Sequence, residues 1–153
     1  MGIRGEKKHH FLLVHGACHG SWCWYKLVTL LRSMGHKVTA PDLAAGGVHS
    51  KRLEETHSIS DYFKPLMEVI ASIPTDEKVI LVGHGKGGVS ISAAMERFPH
   101  KISIAVFAST LMPGPEFTVP TLNQEVSYRI TMNLDLVRIQ EEHHTRELPD
   151  LHM

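Results

Sequence analysis

The stretch Val79-Ile80-Leu81-Val82-Gly83-His84-Gly85-Lys86-Gly87-Gly88 decides the architecture. Four apolar residues in a row suit a strand buried on both faces, as in a parallel sheet. They run into a glycine-dense turn, and a helix-like stretch follows. The strand is read from Lys78 to Val82 and the helix from Lys86 to Phe98, with Val89, Ile91, Ala93, Ala94 and Met95 as core candidates and Pro99 as the stop. The middle of the turn, position 85, is glycine.

The same unit occurs upstream. Phe11-Leu12-Leu13-Val14 is a short apolar run that ends at His15-Gly16. A tight loop, Gly16 to Gly20, leads to Ser21, which offers an N-cap for a helix through about Met34. Trp22, Tyr25, Val28 and Leu31 are expected on its buried face, and Gly35 follows where a helix end favours positive φ. His36 to Ala40 reads as the next strand, stopped by Pro41. Asp42 to about Glu55 reads as a loop, and a helix is expected at about Asp61 to Ile73, with Phe63, Leu66, Met67 and Ile70 inward. Pro65 must fall in or near its first turn, or it kinks the helix. Ile102 to Ala108 is a fourth strand. Strands alternating with helices imply an α/β fold with a parallel sheet of about four strands and right-handed crossovers. After Met112-Pro113-Gly114-Pro115 no sustained period is found. No fifth strand is read in residues 116–153, and the charged run Glu141 to Glu147 reads as a solvated helix or a frayed tail. The expected organisation is a polar tail at 1–8, a core at 9–112 and a divergent region at 113–153.

Composition narrows the function classes. The 153 residues are 42% apolar and 21% charged, which reads as a globular chain with one core. The formal net charge is zero, so there is no electrostatic case for nucleic acid or for an anionic membrane. No apolar run approaches the roughly 20 residues of a spanning helix, and the first eight residues lack a signal-peptide core. Two cysteines, Cys18 and Cys23, make no disulfide framework and lack zinc spacing, so a reducing compartment such as the cytoplasm is expected. The twelve histidines are scattered, and the pairs His9-His10 and His143-His144 read as solvated surface. No cofactor or metal is expected.

The glycine turn has three readings. Gly83-x-Gly85-x-x-Gly88 matches the dinucleotide fingerprint, after a strand and opening a helix. The confirming acid about 20 residues on is missing, because Phe107-Ala108-Ser109-Thr110 stands there. A phosphate loop fails, since Ile80 and Gly87 occupy the first glycine and Ser/Thr places of that motif. The third reading is a nucleophile elbow, G-x-S-x-G, in which Gly85 replaces the serine. Gly83 and Gly87 stand where that turn needs small residues, with His84 between Gly83 and Gly85. The matching oxyanion hole would use the N–H of Lys86 and an N–H from a loop after an earlier strand. His15-Gly16-Ala17 is such a loop, with Ala17 as the natural donor.

Residues His9 to Tyr25, Gly35 to Leu43 and Val82 to Gly88 together resemble the plant methylesterase and hydroxynitrile-lyase family of the α/β-hydrolases. Met95-Glu96-Arg97-Phe98-Pro99 and Leu111 to Pro115 extend the match, which covers about residues 9–115. The resemblance implies the N-terminal half of an α/β-hydrolase fold, with the C-terminal strands missing and only the start of a helical cap. It also implies cytosolic enzymes that hydrolyse methyl esters of small acids such as salicylate, jasmonate or indole acetate. Their mechanism is acyl transfer by serine, histidine and aspartate, with two backbone N–H groups holding the oxyanion.

This chain departs from that pattern at the centre. Gly85 stands at the family's serine, and Lys86 follows where an apolar residue or Cys is usual. The family's aspartate and histidine lie after two further strands that this chain does not reach. Loss of the nucleophile alone costs roughly six orders of magnitude in turnover in a comparable triad. The expectation is therefore an inactive, methylesterase-like pseudoenzyme. A non-catalytic binder of a small carboxylate or methyl ester, held at Ala17 and Lys86, is one alternative. Self-association, or pairing with an intact family member through an exposed edge at Ile102–Ala108, is another.

Overall fold

The computed structural model describes residues 7–49, 58–110 and 112–113, together with the backbone of 137–141. Most of the N-terminal tail, the end of the loop expected after Asp42, and most of the 113–153 region lie outside the described residues.

Strand β1 (His10–Val14) leads through a 3₁₀ turn (Ser21–Trp24) into α1 (Tyr25–Ser33). Then come β2 (Lys37–Thr39), α2 (Ile59–Ser72), β3 (Val79–His84), α3 (Gly87–Arg97), a second 3₁₀ turn (Pro99–Lys101), β4 (Ile102–Ala108) and β5 (Val137–Glu141). The sheet order is β2-β1-β3-β4-β5. The first four strands are parallel, as the alternation of strand and helix required. β1 lies between β2 and β3, with His10 opposite Lys37 on one side and Val79 on the other.

The period of two splits each inner strand between two cores. Leu12, Val14, Leu81, Ala105 and Phe107 face Leu66 and Ile70 of α2 and Ile91 of α3. Leu13, Val38, Ile80 and Val82 face the other way, toward Trp24, Leu27, Val28 and Leu31. Strands buried on both sides are why their sequences read as unbroken apolar runs.

Three local expectations are corrected. Trp22 and Tyr25 are 61% and 64% exposed, and Trp24 and Leu27 take the inward places assigned to them. Ser21 is not the cap of α1. It lies in the 3₁₀ turn, and its N–H donates to Asp42 Oδ1 at 2.5 Å. α2 begins before Asp61, because the Ser58 hydroxyl accepts the Asp61 N–H at 3.1 Å and caps the first turn. Pro65 therefore stands in the second turn, inside the helix.

A fifth strand exists where none was read. β5 runs antiparallel to β4, with Ile104 opposite Glu141 and Ala108 opposite Val137. The outer side of Ile102–Ala108, expected to be open, is thus paired. Val137-Arg138-Ile139-Gln140-Glu141 carries only two apolar residues and merges into a charged run, and its partner lies some thirty positions earlier.

At the lower end of the sheet, Lys101 is a buried lysine, 6% exposed. Its ammonium donates to the carbonyls of Ile70, Ala71 and Ile73 at 3.1, 2.9 and 2.7 Å. These are carbonyls of the C-terminal turn of α2, where the intrahelical ladder runs out of donors; only that of Ile70 also accepts a backbone N–H, from Ile73 at 3.2 Å. A cation at a helix C-terminus is also favoured by the helix dipole.

Candidate active site

The C-terminal ends of β1 and β3 lie side by side, because Val14 is in register with Gly83. The loops that leave them build the site. Gly83 is buried in β3, His84 ends the strand with its side chain exposed, and Lys86 is the exposed N-cap residue of α3. Gly85 sits between them at φ +54°, in the left-handed region that a strained strand-to-helix turn requires. The turn closes through the Gly88 N–H to the Gly85 carbonyl and the Val89 N–H to the Lys86 carbonyl, both 3.2 Å.

The glycines at 85 and 87 differ in kind. A Cβ at Gly87 would lie 2.5 Å from the Val14 carbonyl oxygen and 2.9 Å from that of His15, so only glycine lets α3 start this close to β1. A Cβ at Gly85 would meet only the Gly16 Cα, at an ordinary 3.6 Å. Position 85 thus has the backbone of an elbow and room for a side chain that it lacks.

The loop after β1 is fixed by His15, which is fully buried. Its Nδ1–H donates to the Gly16 carbonyl at 2.7 Å, and Nε2 accepts the Leu43 N–H at 3.0 Å. Both ring nitrogens are engaged, so His15 is a structural pin between β1 and the chain after β2, not a base. Asp42 holds the same region from the other side, accepting from Ser21 N–H and, at 3.0 Å, from Val48 N–H. Burial raises its carboxyl pKa, but these N–H donors outweigh burial and bring it below the usual carboxylate value. Ala17, the second donor expected from sequence, follows Gly16 in this loop. The structure brings Gly16 beside Gly85, with the Gly16 Cα 3.6 Å from where a Gly85 Cβ would lie.

Several neighbours were not foreseen. The His19 ring stacks on Trp22, with centroids 5.6 Å apart, and lies edge-on to His84 at 6.4 Å. The Trp24 indole meets the His84 ring at 6.4 Å. The Trp24 indole N–H and the Tyr62 hydroxyl are buried and have no hydrogen-bond partner among the described residues. Burial, and next the nearby Cys18, push the Tyr62 phenol up, so it stays a proton donor. The Thr110 hydroxyl, just past β4, donates to the Gly85 carbonyl. Sequence gave no signal for that contact, since the two residues are 25 positions apart.

A second concavity lies at the opposite, N-terminal end of the sheet. It is a cleft of about 860 Å³ lined by lysines 7, 8, 37 and 78 and by His10, Glu77 and others. Two of its cations are in use. The Lys37 ammonium is 3.0 Å from a Glu77 carboxylate oxygen, and Lys8 donates to the Met34 carbonyl at 2.8 Å. The elbow is at the other end of the strands from this cleft.

Comparison with known proteins agrees with the geometry. The family model for the α/β-hydrolase fold matches residues 9–147. The chain is 62% identical over 124 residues to methyl jasmonate esterase 1 of Vitis vinifera, covering 81% of this chain and 48% of that protein. It is 46% identical over 127 residues to methylesterase 2 of Arabidopsis thaliana, covering 82% and 48%. A crystal structure of a tomato methylketone synthase I variant complexed with β-ketoheptanoate superposes with a TM-score of 0.77 at 53% identity, over 84% of this chain and 50% of that one. The chain thus spans about half the length of the curated relatives it matches. Among the described residues, no helix is long and apolar enough to cross a membrane. The elbow backbone, the adjoining loops of β1 and β3 and these similarities lead to one conclusion: the chain belongs to the α/β-hydrolases, and within them it resembles the methylesterases.

Proposed function

We propose that this protein has a methylesterase-type anion site without ester hydrolysis, and that it binds a small carboxylate or methyl ester at the N–H groups of Ala17 and Lys86. The observation that carries the reading is Gly85. It keeps the φ of +54° and the open side-chain space of an elbow, yet offers no oxygen to attack a carbonyl. Oxyanion donors without a nucleophile leave at most about 10³–10⁴ over water. His15 uses both ring nitrogens structurally, which keeps it from serving as the base. The start of α3 and the Lys86 side chain favour an anion there. Two free thiols, Cys18 and Cys23, agree with a reducing compartment.

The test is hydrolysis of methyl salicylate and methyl jasmonate, with salicylate titrated by calorimetry. We expect no turnover above buffer and measurable heat at millimolar salicylate. Hydrolysis well above buffer by the unmodified chain overturns the inactive reading, and absence of heat overturns the binding reading. Gly85→Ser is expected to stay without turnover, because a hydroxyl alone brings no base.

The methylketone synthase likeness favours a second reading. A β-keto carboxylate loses CO₂ by passing the C–C bonding electrons toward its ketone. The enolate then takes a proton from solvent, so the reaction needs a held oxyanion and no nucleophile. Incubation with β-ketoheptanoate would give 2-hexanone and CO₂ faster than the spontaneous rate. A rate equal to the spontaneous one removes this reading.

A further inference from the structure

The Gly85 carbonyl and the Lys86 N–H belong to one peptide unit. That unit is planar and trans, so the two groups point in opposite directions, and fixing one aims the other. Two donors converge on this carbonyl. One is the Gly88 N–H at 3.2 Å, within the turn, and the other is the Thr110 hydroxyl, which arrives from a different strand. β4 brings it there. Ala108 is in register with His84, and Ser109 then adopts φ +47°, a left-handed conformation uncommon outside glycine. The chain turns at Ser109, and Thr110 falls against the elbow. Strained residues of this kind persist where the surroundings hold them, and the Thr110 bond is one such hold.

We propose that Thr110 is a positioning residue for the anion site, clamping the Gly85–Lys86 peptide so that the Lys86 N–H faces the ligand. The clamp acts in two ways. It restricts rocking of the peptide plane, which the Gly88 bond alone leaves free about its own axis. It also polarises the amide, since a hydrogen bond at the carbonyl makes the N–H of the same peptide a stronger donor. The side chain itself touches no ligand. This inference rests on the reading of Lys86 as an anion donor, but the clamp has a signature that needs no ligand.

The experiment compares the unmodified chain with Thr110→Val, which keeps the branched shape and removes the hydroxyl, and Thr110→Ser, which keeps the hydroxyl. In ¹⁵N-labelled protein the Lys86 amide resonance is expected to shift upfield and broaden in Thr110→Val and to return in Thr110→Ser. With salicylate as probe, half-saturation of the Lys86 amide shift should need about fivefold more salicylate in Thr110→Val, the loss of one ordinary hydrogen bond. A Lys86 amide unchanged in Thr110→Val, or a Ser variant that behaves like the Val variant, overturns the clamp. If Thr110→Val does not fold, the Gly85 carbonyl ¹³C resonance of the unmodified chain decides. Deuteration of the Thr110 hydroxyl must move it, and no isotope shift overturns the clamp. An amide that responds to Thr110→Val but ignores millimolar salicylate in the unmodified chain supports the clamp and refutes the binding reading alone.

Discussion

Alanine at position 87 and alanine at position 85 should have very different consequences, although the two glycines stand two residues apart in one turn. At position 87 the new Cβ lies 2.5 Å from one backbone oxygen and 2.9 Å from another. Neither can swing aside as a flexible side chain would, so α3 must move away from β1 by several tenths of an ångström. Overpacking of this kind costs about 1–3 kcal/mol, and rigid backbone partners place it toward the upper end. Alanine's better helix propensity returns less than about 1 kcal/mol at a helix start. The net loss is about 2 kcal/mol. At position 85 the Cβ has an ordinary 3.6 Å contact, and the cost is the left-handed φ, about 1–2 kcal/mol. Reduced freedom of the unfolded chain offsets about 0.4–1 kcal/mol of that. The net loss is roughly 0.5–1 kcal/mol. Equilibrium urea unfolding followed by far-ultraviolet circular dichroism measures both. With a slope of about 1.5 kcal/mol per M, Gly87→Ala lowers the midpoint by ~1.3 M and Gly85→Ala by ~0.5 M. A Gly87→Ala midpoint equal to that of the unmodified chain, or a Gly85→Ala loss as large as that of Gly87→Ala, refutes the distinction between a glycine required by packing and one that marks an emptied position.

Two further outcomes follow from the lower end of the sheet. Lys101→Met keeps the length of the buried side chain and removes three donors, leaving the Ile70, Ala71 and Ile73 carbonyls without them. Part of the loss is recovered because no ammonium is desolvated, and we expect about 2–4 kcal/mol in the same urea assay, with hydrogen exchange rising first in the last turn of α2. Stability should also fall with acid. Burial, outweighing its bond to Glu77, holds the His10 imidazole below its ordinary 6.5, so the unfolded chain takes up a proton that the folded chain refuses as pH drops below 6.5. Glu77, held low by Lys37 first and by His10 next, has stability present above its ordinary 4.5 that disappears as pH falls through its depressed folded value. Thermal melts should therefore decline between pH 6.5 and pH 5, and His10→Gln should flatten that decline; a flat profile in the unmodified chain contradicts the buried neutral histidine.

Much of the fold was legible because parallel strands buried on both sides announce themselves as apolar runs. Ile102–Ala108 was read to the residue, and β1 and β3 were read to within two residues at each end. The face of α1 was misread for a definite reason. Extrapolating a period of 3.6 from Ser21 ignores that the first four residues form a 3₁₀ turn, with three residues per turn. The phase slips, and the inward set becomes Trp24, Leu27, Val28 and Leu31, spaced as one helical face should be. The start of α2 was readable, since Ser58-x-x-Asp61 is a capping pattern. At the site, Gly83, Gly85 and Gly87 were visible as a motif, and the strand–loop–helix beginning at β1 pointed to its partner loop. Lys101 and Thr110 were not visible. Each acts through backbone carbonyls some 25 to 31 positions away, and a carbonyl has no letter in a sequence.

The stacking of His19 on Trp22 has an optical consequence. The chain holds two tryptophans, and both lie in the 3₁₀ turn beside the elbow, one exposed and one inward. All of its indole fluorescence therefore originates from one turn, with a red, quencher-accessible component from Trp22 and a blue, shielded one from Trp24. Emission changes report events at that loop before they report anything about the sheet. Iodide quenching separates the two components without a label, and a fluorescence transition that precedes the circular dichroism transition would measure the loosening of the loop alone.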